Sequence, residues 1–364
     1  MTSIGEHNVP RIRLHAQGIA HPLDTTVEGV VTRLGAMQAQ DYPGAVWSIG
    51  LRLGSATRAD VEQAVLEKRI IRTWPMRGTL HFVPAIDARW MLELLTPRIQ
   101  KGAAGRHKQL ELDSATFRRS RTLIAKALAR EPILTRKEIF DVLEQGGVPT
   151  TGQRGIHIVQ QLSMECTLCY GPHSEKQPTF VQFDEWITTS RTLDRDDALR
   201  TLAERFFMSH GPATLRDFVG WTGLTVADAK VGVHLAQSSL ERITGDAAEM
   251  WMANDRPATD AAAAPRAHLL PGFDEYMLGY KDRSAALAPR DADRIVPGGN
   301  GMFLSTLVLD AHVRGTWRRS AGAKAVTVDA LPFARLSAAD KKVFREPAER
   351  YARFLGGPVV VRWA

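Results

Sequence analysis

The sequence predicts an α+β fold, mainly α, built of three winged-helix units in tandem and a C-terminal β-rich region. One order of signals, three stretches of helical apolar spacing and then two short strand-like runs, recurs along the chain. A stretch rich in Asp, Ala and Pro at 253–264 separates the third recurrence from the C-terminal hundred residues or so. In that last part, apolar runs of strand length alternate with polar turns.

Taken in order, the first unit spans residues 1–97, with helices at 26–40, 44–53 and 58–68 and strand-like runs at 70–74 and 78–83. The second spans 98–190. After a basic connector it has a helix at 116–130, a second starting at the capping residue Thr135 and stopped by Gly146 and Gly147 ahead of Pro149, and a third at 154–165. Runs at 167–170 and 178–182 supply its hairpin. The third unit, 191–255, repeats the order with helices at 197–208, 213–221 and 226–237 and strands at 240–244 and 249–252. Residues 253–264 read as a flexible surface segment. The last region, 256–364, pairs runs at 302–309 and 313–318 across a short polar turn, with 325–328 and 358–362 as further strands under a helix at 338–354.

A chain of 364 residues is too long for one ordinary core. Its 44% hydrophobic and 24% charged residues are those of a soluble globular protein, and no apolar run reaches a membrane span. The N-terminus lacks the basic-then-apolar order of a signal peptide, so a cytoplasmic protein is expected. Cys166 and Cys169 are too few for a disulfide framework. With His173 they have a spacing that permits zinc, but there is no second cysteine pair, and a strand would turn the two thiols to opposite faces. No metal is therefore expected. Phosphate-loop and dinucleotide glycine patterns are missing as well, and no cofactor is expected. The net charge of +7 comes mainly from arginine, whose planar fork suits phosphate. Arg98, Lys101, Arg106, His107, Lys108, Arg118, Arg119 and Arg121 gather in one connecting region, as a surface that tracks a phosphate backbone would require.

Gln38 and Gln40 stand at the end of the first expected helix, just before Pro43 and Gly44. Neutral amides position water but cannot deliver a full proton. On a continued helix, residues two apart diverge by about 200°; they share one site only if the chain becomes extended there, which the nearby proline encourages. The other reading is of polar side chains at a frayed helix end. Asp41 is the nearest carboxylate and a possible base, with a turn role as its alternative. Asp274, Glu275 and Tyr276 form a second acidic and aromatic group, read as a buried structural network.

Three stretches together carry a resemblance: Arg33-Leu-Gly-Ala-Met-Gln-Ala-Gln-Asp-Tyr-Pro-Gly-Ala-Val-Trp-Ser48, Thr73-Trp-Pro-Met-Arg-Gly-Thr-Leu-His-Phe-Val83 and Leu270-Pro-Gly-Phe-Asp-Glu-Tyr-Met-Leu-Gly-Tyr280. With them the chain resembles the winged-helix DNA glycosylases of the AlkZ and YcaQ group over nearly its whole length. In that family a glutamine, an apolar residue and then glutamine or aspartate form the catalytic motif. Gln38-Ala39-Gln40 is similar to the AlkZ-like branch; the other branch would have aspartate at position 40. The resemblance implies a C-shaped basic channel for double-stranded DNA, an essential hairpin that projects into it, and action on bulky N7-alkylguanines and interstrand crosslinks.

That chemistry suits amides. Alkylation at N7 makes guanine cationic, so the base leaves neutral and needs no general acid; what remains is to orient water and to stabilise an oxocarbenium-like sugar. A crosslinked guanine cannot swing into a closed pocket, so an open polar site is expected. For DNA contact the sequence offers Arg72, Arg77 and His81 in the first wing, Arg118 and Arg119 in the basic cluster, and Arg154 with His157 at the start of the second unit's recognition helix. It also offers the hairpin at 303–318 through Asp310, His312 and Arg314, which reads equally as an ordinary closing hairpin. Trp74 reads as a core anchor rather than a base-stacking residue. Three units in one chain can embrace DNA as a monomer. The alternative is a non-catalytic winged-helix DNA-binding protein or transcription regulator, normally a symmetric dimer.

Overall fold

The computed structural model describes residues 2–3, 8–174, 177–244, 248–255, 265–321 and 325–364. Of the expected surface segment at 253–264, residues 256–264 lie outside the described residues. The chain is a mixed α and β protein in two compact units, one of Met1–Val61 with Leu199–Ala364 and one of Glu62–Ala198.

The first unit opens with β1 (Thr2–Ser3), α1 (Val9–Ala16) and α2 (Val27–Leu34). The Thr26 side chain accepts the Gly29 N–H and starts α2, and Val27, Val30, Val31 and Leu34 form its buried stripe. The helix expected to run to residue 40 stops at Leu34. Gly35 turns the backbone to φ 78°, a conformation open to glycine at little steric cost, and Met37–Gln38 continue as the extended β2. Sequence reasoning overran because Ala36, Met37 and Ala39 are apolar and buried, which prolongs the helical pattern past its end. Next come α3 (Tyr42–Gly50), with proline in its first turn, and α4 (Arg58–Leu66), within which the chain passes from the first unit to the second.

In the second unit β3 (Ile70–Met76) and β4 (Thr79–Pro84) pair antiparallel across a two-residue turn, Arg77 and Gly78, at φ 54° and 70°. The basic region expected to be a connector is largely the 22-residue helix α5 (Ala88–Gln109); Pro97 in its interior and its charged composition hid it. Then come α6 (Ser114–Leu128), capped by Asp113, β5 (Leu134–Thr135), α7 (Arg136–Gln145) and α8 (Arg154–Met164). Thr135 and Glu138 close a reciprocal capping box on α7. β6 (Leu168–Tyr170), β7 (Thr179–Gln182) and the short α9 (Phe183–Trp186) complete the unit, whose strands bond in the order β4-β3-β6-β7-β5. Trp74, Ile124, Ile139, Ile158, Leu162 and Phe180 pack in its core, so Trp74 is an anchor.

The chain re-enters the first unit within α10 (Arg195–His210), followed by α11 (Leu215–Thr222) and α12 (Val226–Leu235). β8 (Leu240–Thr244) pairs antiparallel with β9 (Glu249–Ala253) and parallel with β1. After β10 (Ala267–Leu270) come the short helices α13 (Glu275–Leu278) and α14 (Ala292–Ile295), then β11 (Thr306–Leu309), β12 (His312–Ala321), β13 (Val326–Pro332), α15 (Ala338–Val343), α16 (Arg345–Leu355) and β14 (Val359–Trp363). These five strands form one sheet in sequence order, antiparallel except for β13 and β14. That last pair is parallel because the two helices between them form a crossover long enough to reverse the chain. The single helix expected at 338–354 is two helices meeting at Phe344. On α16, Tyr351 and Phe354 lie 4.9 and 5.0 Å from the Trp47 ring, and the Trp47 indole donates to the Leu269 carbonyl at 2.9 Å. Those contacts fix α3, which succeeds the glutamine segment, against the sheet.

Candidate active site

Gln38 and Gln40 occupy the link between α2 and α3. The break in the helix that a shared site demands is present, since β2 is extended through Gln38. In an extended chain residues two apart face the same side, whereas a helix would have separated them. Their environments differ: Gln38 is buried at 7% exposure, Ala39 is fully buried, and Gln40 is exposed. Asp41 leads into α3 at φ −94°, ψ 100°. Its Oδ2 lies 2.5 Å from where a Cβ on Gly44 would stand, so the first turn of α3 closes over this carboxylate, and only glycine leaves the room. A carboxylate there is favoured by the helix N-terminus, which supports the turn role for Asp41.

Beneath the link lies a buried polar network that joins residues far apart in sequence. The Gln38 backbone N–H donates to Glu275 Oε1 at 3.2 Å. Glu275 Oε2 accepts the Trp221 indole N–H at 2.9 Å and faces His210 Nε2 at 3.3 Å. One residue earlier, Asp274 holds the fully buried Arg52 with two bonds of 2.9 and 3.1 Å, accepts the Ser48 hydroxyl at 2.7 Å, and caps α13 by accepting the Tyr276 N–H at 3.0 Å. Arg52 also donates to the Gln17 carbonyl at 3.0 Å, the Ser48 carbonyl at 2.7 Å and Gln17 Oε1 at 3.0 Å. The Gln17 amide reaches the Tyr280 hydroxyl, which donates to the His210 carbonyl at 2.8 Å. Burial drives the Tyr276 and Tyr280 hydroxyls far above the usual tyrosine range, so both act as neutral donors. The group Asp274, Glu275 and Tyr276 is thus the buried network expected. Sequence reasoning missed its partners Arg52, His210 and Trp221, because no local signal marks a contact across 222 residues.

Other residues singled out from the sequence take varied positions. In the second unit Arg72 is buried, its guanidinium 4.7 Å over the Tyr170 ring, and His81 is fully buried, with Nδ1 donating to the Thr79 carbonyl at 2.9 Å and Nε2 accepting from Arg77 at 3.1 Å. The surface position expected for Arg72 and His81 is therefore corrected; Arg77 is half-buried at the turn. Arg154 is corrected too. Its guanidinium donates to the Pro149, Leu110 and Glu111 carbonyls, clasping the C-terminal end of α5 rather than standing free at the start of α8. His157 packs at 5.5 Å from the His107 ring, and burial lowers its pKa below the usual histidine range. Arg118 and Arg119 are exposed on α6. In the first unit the short turn expected at Asp310, Ala311 and His312 is Asp310 and Ala311 alone, at φ 50° and 65°, with His312 already paired to Leu309, and it is tied down. Arg266 pairs with Asp310 at 2.6 Å and holds its carboxyl below the usual range, and the Tyr276 hydroxyl donates to the Ala311 carbonyl at 2.6 Å. A free tip that could enter a groove is not what this turn presents, and its acid is already neutralised. His312 Nδ1 bonds the Asp310 carbonyl, and Arg314 is exposed. Burial pushes the Cys166 thiol up to about 12 and that of Cys169 further, which leaves both as inert thiols. Among the described residues no group of three or more His, Cys, Asp or Glu side chains could hold a metal ion, and no helix is long and apolar enough to cross a membrane.

Comparison with known proteins gives these positions a family. Residues 31–354 match the model described as DNA glycosylase AlkZ-like, a span that includes Gln38, Gln40 and the whole buried network except Gln17. A Streptomyces sahachiroi protein named interstrand DNA cross-link repair glycosylase is 25% identical over 325 residues, covering 84% of this chain and 85% of its own. The solved structure of the Streptomyces sahachiroi DNA glycosylase AlkZ superposes with a TM-score of 0.76 at 22% identity, covering all of both chains, which shows the shared fold. The chain belongs to the AlkZ-like family of DNA glycosylases, enzymes that hydrolyse N-glycosyl bonds.

Proposed function

We propose that this glycosylase hydrolyses the N-glycosidic bond of cationic N7-alkylguanine in double-stranded DNA, with Gln38 and Gln40 as its catalytic pair. The observation that carries the reading is the early end of α2 at Gly35, which lets Gln38 and Gln40 leave helical geometry. The side-chain carbonyls of the pair orient water toward C1′ and stabilise the developing oxocarbenium ion. As the water oxygen bonds C1′, the C1′–N9 pair of electrons passes into the purine and neutralises its charge; the proton of the water goes to solvent. An abasic site remains. No lysine is singled out for a Schiff base, so the activity is monofunctional and leaves the strand uncut. The name of the Streptomyces relative extends the proposed substrates to interstrand crosslinks.

For DNA binding we propose the three-unit winged-helix organisation, with units at 1–97, 98–190 and 191–255 and the β-rich region at 256–364, acting as a monomer around a C-shaped basic channel. Each of the three has helices followed by an antiparallel strand pair, which supports the reading. Arg77, Arg118 and Arg119 in the second unit and Arg314 in the first are the phosphate contacts it uses. A DNA substrate puts the enzyme's work in the compartment that holds the DNA, here the cytoplasm. The transcription-regulator reading is not favoured, because the family match runs across most of the chain.

The deciding experiment incubates the protein with methylated duplex DNA and assays free 7-methylguanine. Release, with abasic sites and no strand scission, is the expected result; binding without release would return the regulator reading. A second expectation concerns the exposed arginines. Arg118→Ala and Arg119→Ala weaken binding alike on all sequences and each flatten the salt slope of log K by about 0.9, the contribution of one phosphate contact. Anisotropy titrations across a salt series measure this, and an unchanged slope would remove the pair from the interface.

A further inference from the structure

We propose that Glu275 is a positioning residue for catalysis, holding Gln38 through its backbone N–H; this rests on the reading that Gln38 is catalytic. The carboxylate is 1% exposed and meets two N–H groups and one imidazole nitrogen from three separate parts of the chain: Gln38 N after α2, Trp221 Nε1 on α11 and His210 Nε2 at the end of α10. Its oxygens accept from the Gln38 and Trp221 N–H groups. The histidine's orientation is set by its other nitrogen. Ser209 Oγ donates to the Arg205 carbonyl at 2.6 Å and lies 2.8 Å from His210 Nδ1. The two ring nitrogens thus sit against Ser209 and Glu275, which holds the imidazole in place. The Tyr280 hydroxyl on the His210 carbonyl and the Phe206 ring stacked 4.6 Å from the imidazole fix that geometry.

The consequence lies at Gln38. Its side chain can hold a water at one position only if its backbone is held, and a tolerance of about 0.5 Å is what a preorganised site needs. Glu275 holds that backbone from below through Oε1, and its Oε2 is held by groups on α10 and α11. Burial this deep also keeps water from competing for the Gln38 N–H.

The test compares Glu275→Gln, Glu275→Ala, Gln38→Ala and Val328→Ala. Val328 is fully buried on β13 and touches none of these residues by any bond named above, so its truncation is a control for destabilisation alone. Single-turnover excision of 7-methylguanine, corrected for folded fraction, and DNA affinity are both read. Glu275→Gln keeps one acceptor for Gln38 but turns an amide N–H₂ toward Trp221 or His210; excision should fall about tenfold with affinity unchanged. Glu275→Ala should fall about a hundredfold, and Val328→Ala should excise normally per folded molecule. If Glu275→Ala does not fold, Glu275→Gln alone decides. Full excision by folded Glu275→Gln overturns the inference, as does an equal loss in Val328→Ala. Should Gln38→Ala keep full activity, it is the catalytic reading of Gln38 that fails, and the inference falls with it.

Discussion

Gln38→Ala and Gln40→Ala each lower single-turnover excision of 7-methylguanine by about 10²–10³-fold, the cost of removing one preorganised polar group from a transition state that develops charge. DNA affinity stays within about twofold, because an interaction made only in the transition state does not appear in ground-state binding. The split between rate and affinity is the signature. Gln40 is exposed and Gln38 buried, so Gln40→Ala leaves stability nearly unchanged whereas Gln38→Ala carries a modest folding cost as well. Excision is therefore compared per folded molecule. Asp41→Asn separates the remaining alternative. With its carboxylate against the first turn of α3, Asp41 acts on the helix start, and the substitution should leave the rate within about threefold while lowering stability by about 0.5 kcal/mol. A rate lost in Asp41→Asn and kept in Gln40→Ala would transfer the base role to the carboxylate.

Much of the architecture was legible locally. Thr135 and Glu138 announce α7, Gly223 in the left-handed region ends α11, and the strand pairs at Ile70–Met76 with Thr79–Pro84 and at Leu240–Thr244 with Glu249–Ala253 are marked by apolar runs flanking polar turns. What failed had physical causes of two kinds. Helix ends were misjudged where burial on several sides imitates helical spacing, as after Gly35, or where a proline interrupts a helix that tertiary packing sustains, as at Pro97. The roles of charged side chains were misjudged where carbonyls or rings elsewhere in the chain claim them. Arg154 looks like a surface contact in sequence and is a clasp on α5; Arg72 looks like a phosphate ligand and stacks on Tyr170. For the site, the glutamine pair came from resemblance and the need for an extended chain from geometry. Glu275 was seen as buried, but its bond to Gln38 spans 237 residues, and no periodicity reports it.

Asp274→Ala lowers stability by about 3–5 kcal/mol, because it strands a fully buried guanidinium. Arg52 directs donors to the carboxylate, Ser48 and Gln17, and the interior offers no water to replace what is lost. Arg52→Met should cost a similar amount by leaving Asp274 buried with only the Ser48 hydroxyl and the Tyr276 N–H among its bonds. The combination Arg52→Met with Asp274→Leu removes both charges and fills their volume, so it should lose far less than the two single costs together. What remains, about 1 kcal/mol for each, comes from the groups that lose a partner: the Tyr276 N–H, the Ser48 hydroxyl, and the Gln17 carbonyl and Oε1. Urea midpoints of the wild type, Arg52→Met, Asp274→Leu and the double variant close the cycle, and simple additivity would show that the two charges are not coupled. Activity then tells what the pair is for. Asp274 caps α13, and Glu275 is the first residue of that helix. If the ion pair serves only stability, the double variant regains excision along with its fold; if it sets the position of α13, the double variant is stable and still slow. We expect the second result, since the apolar pair restores the packing but not the cap that aims Glu275 at the Gln38 backbone.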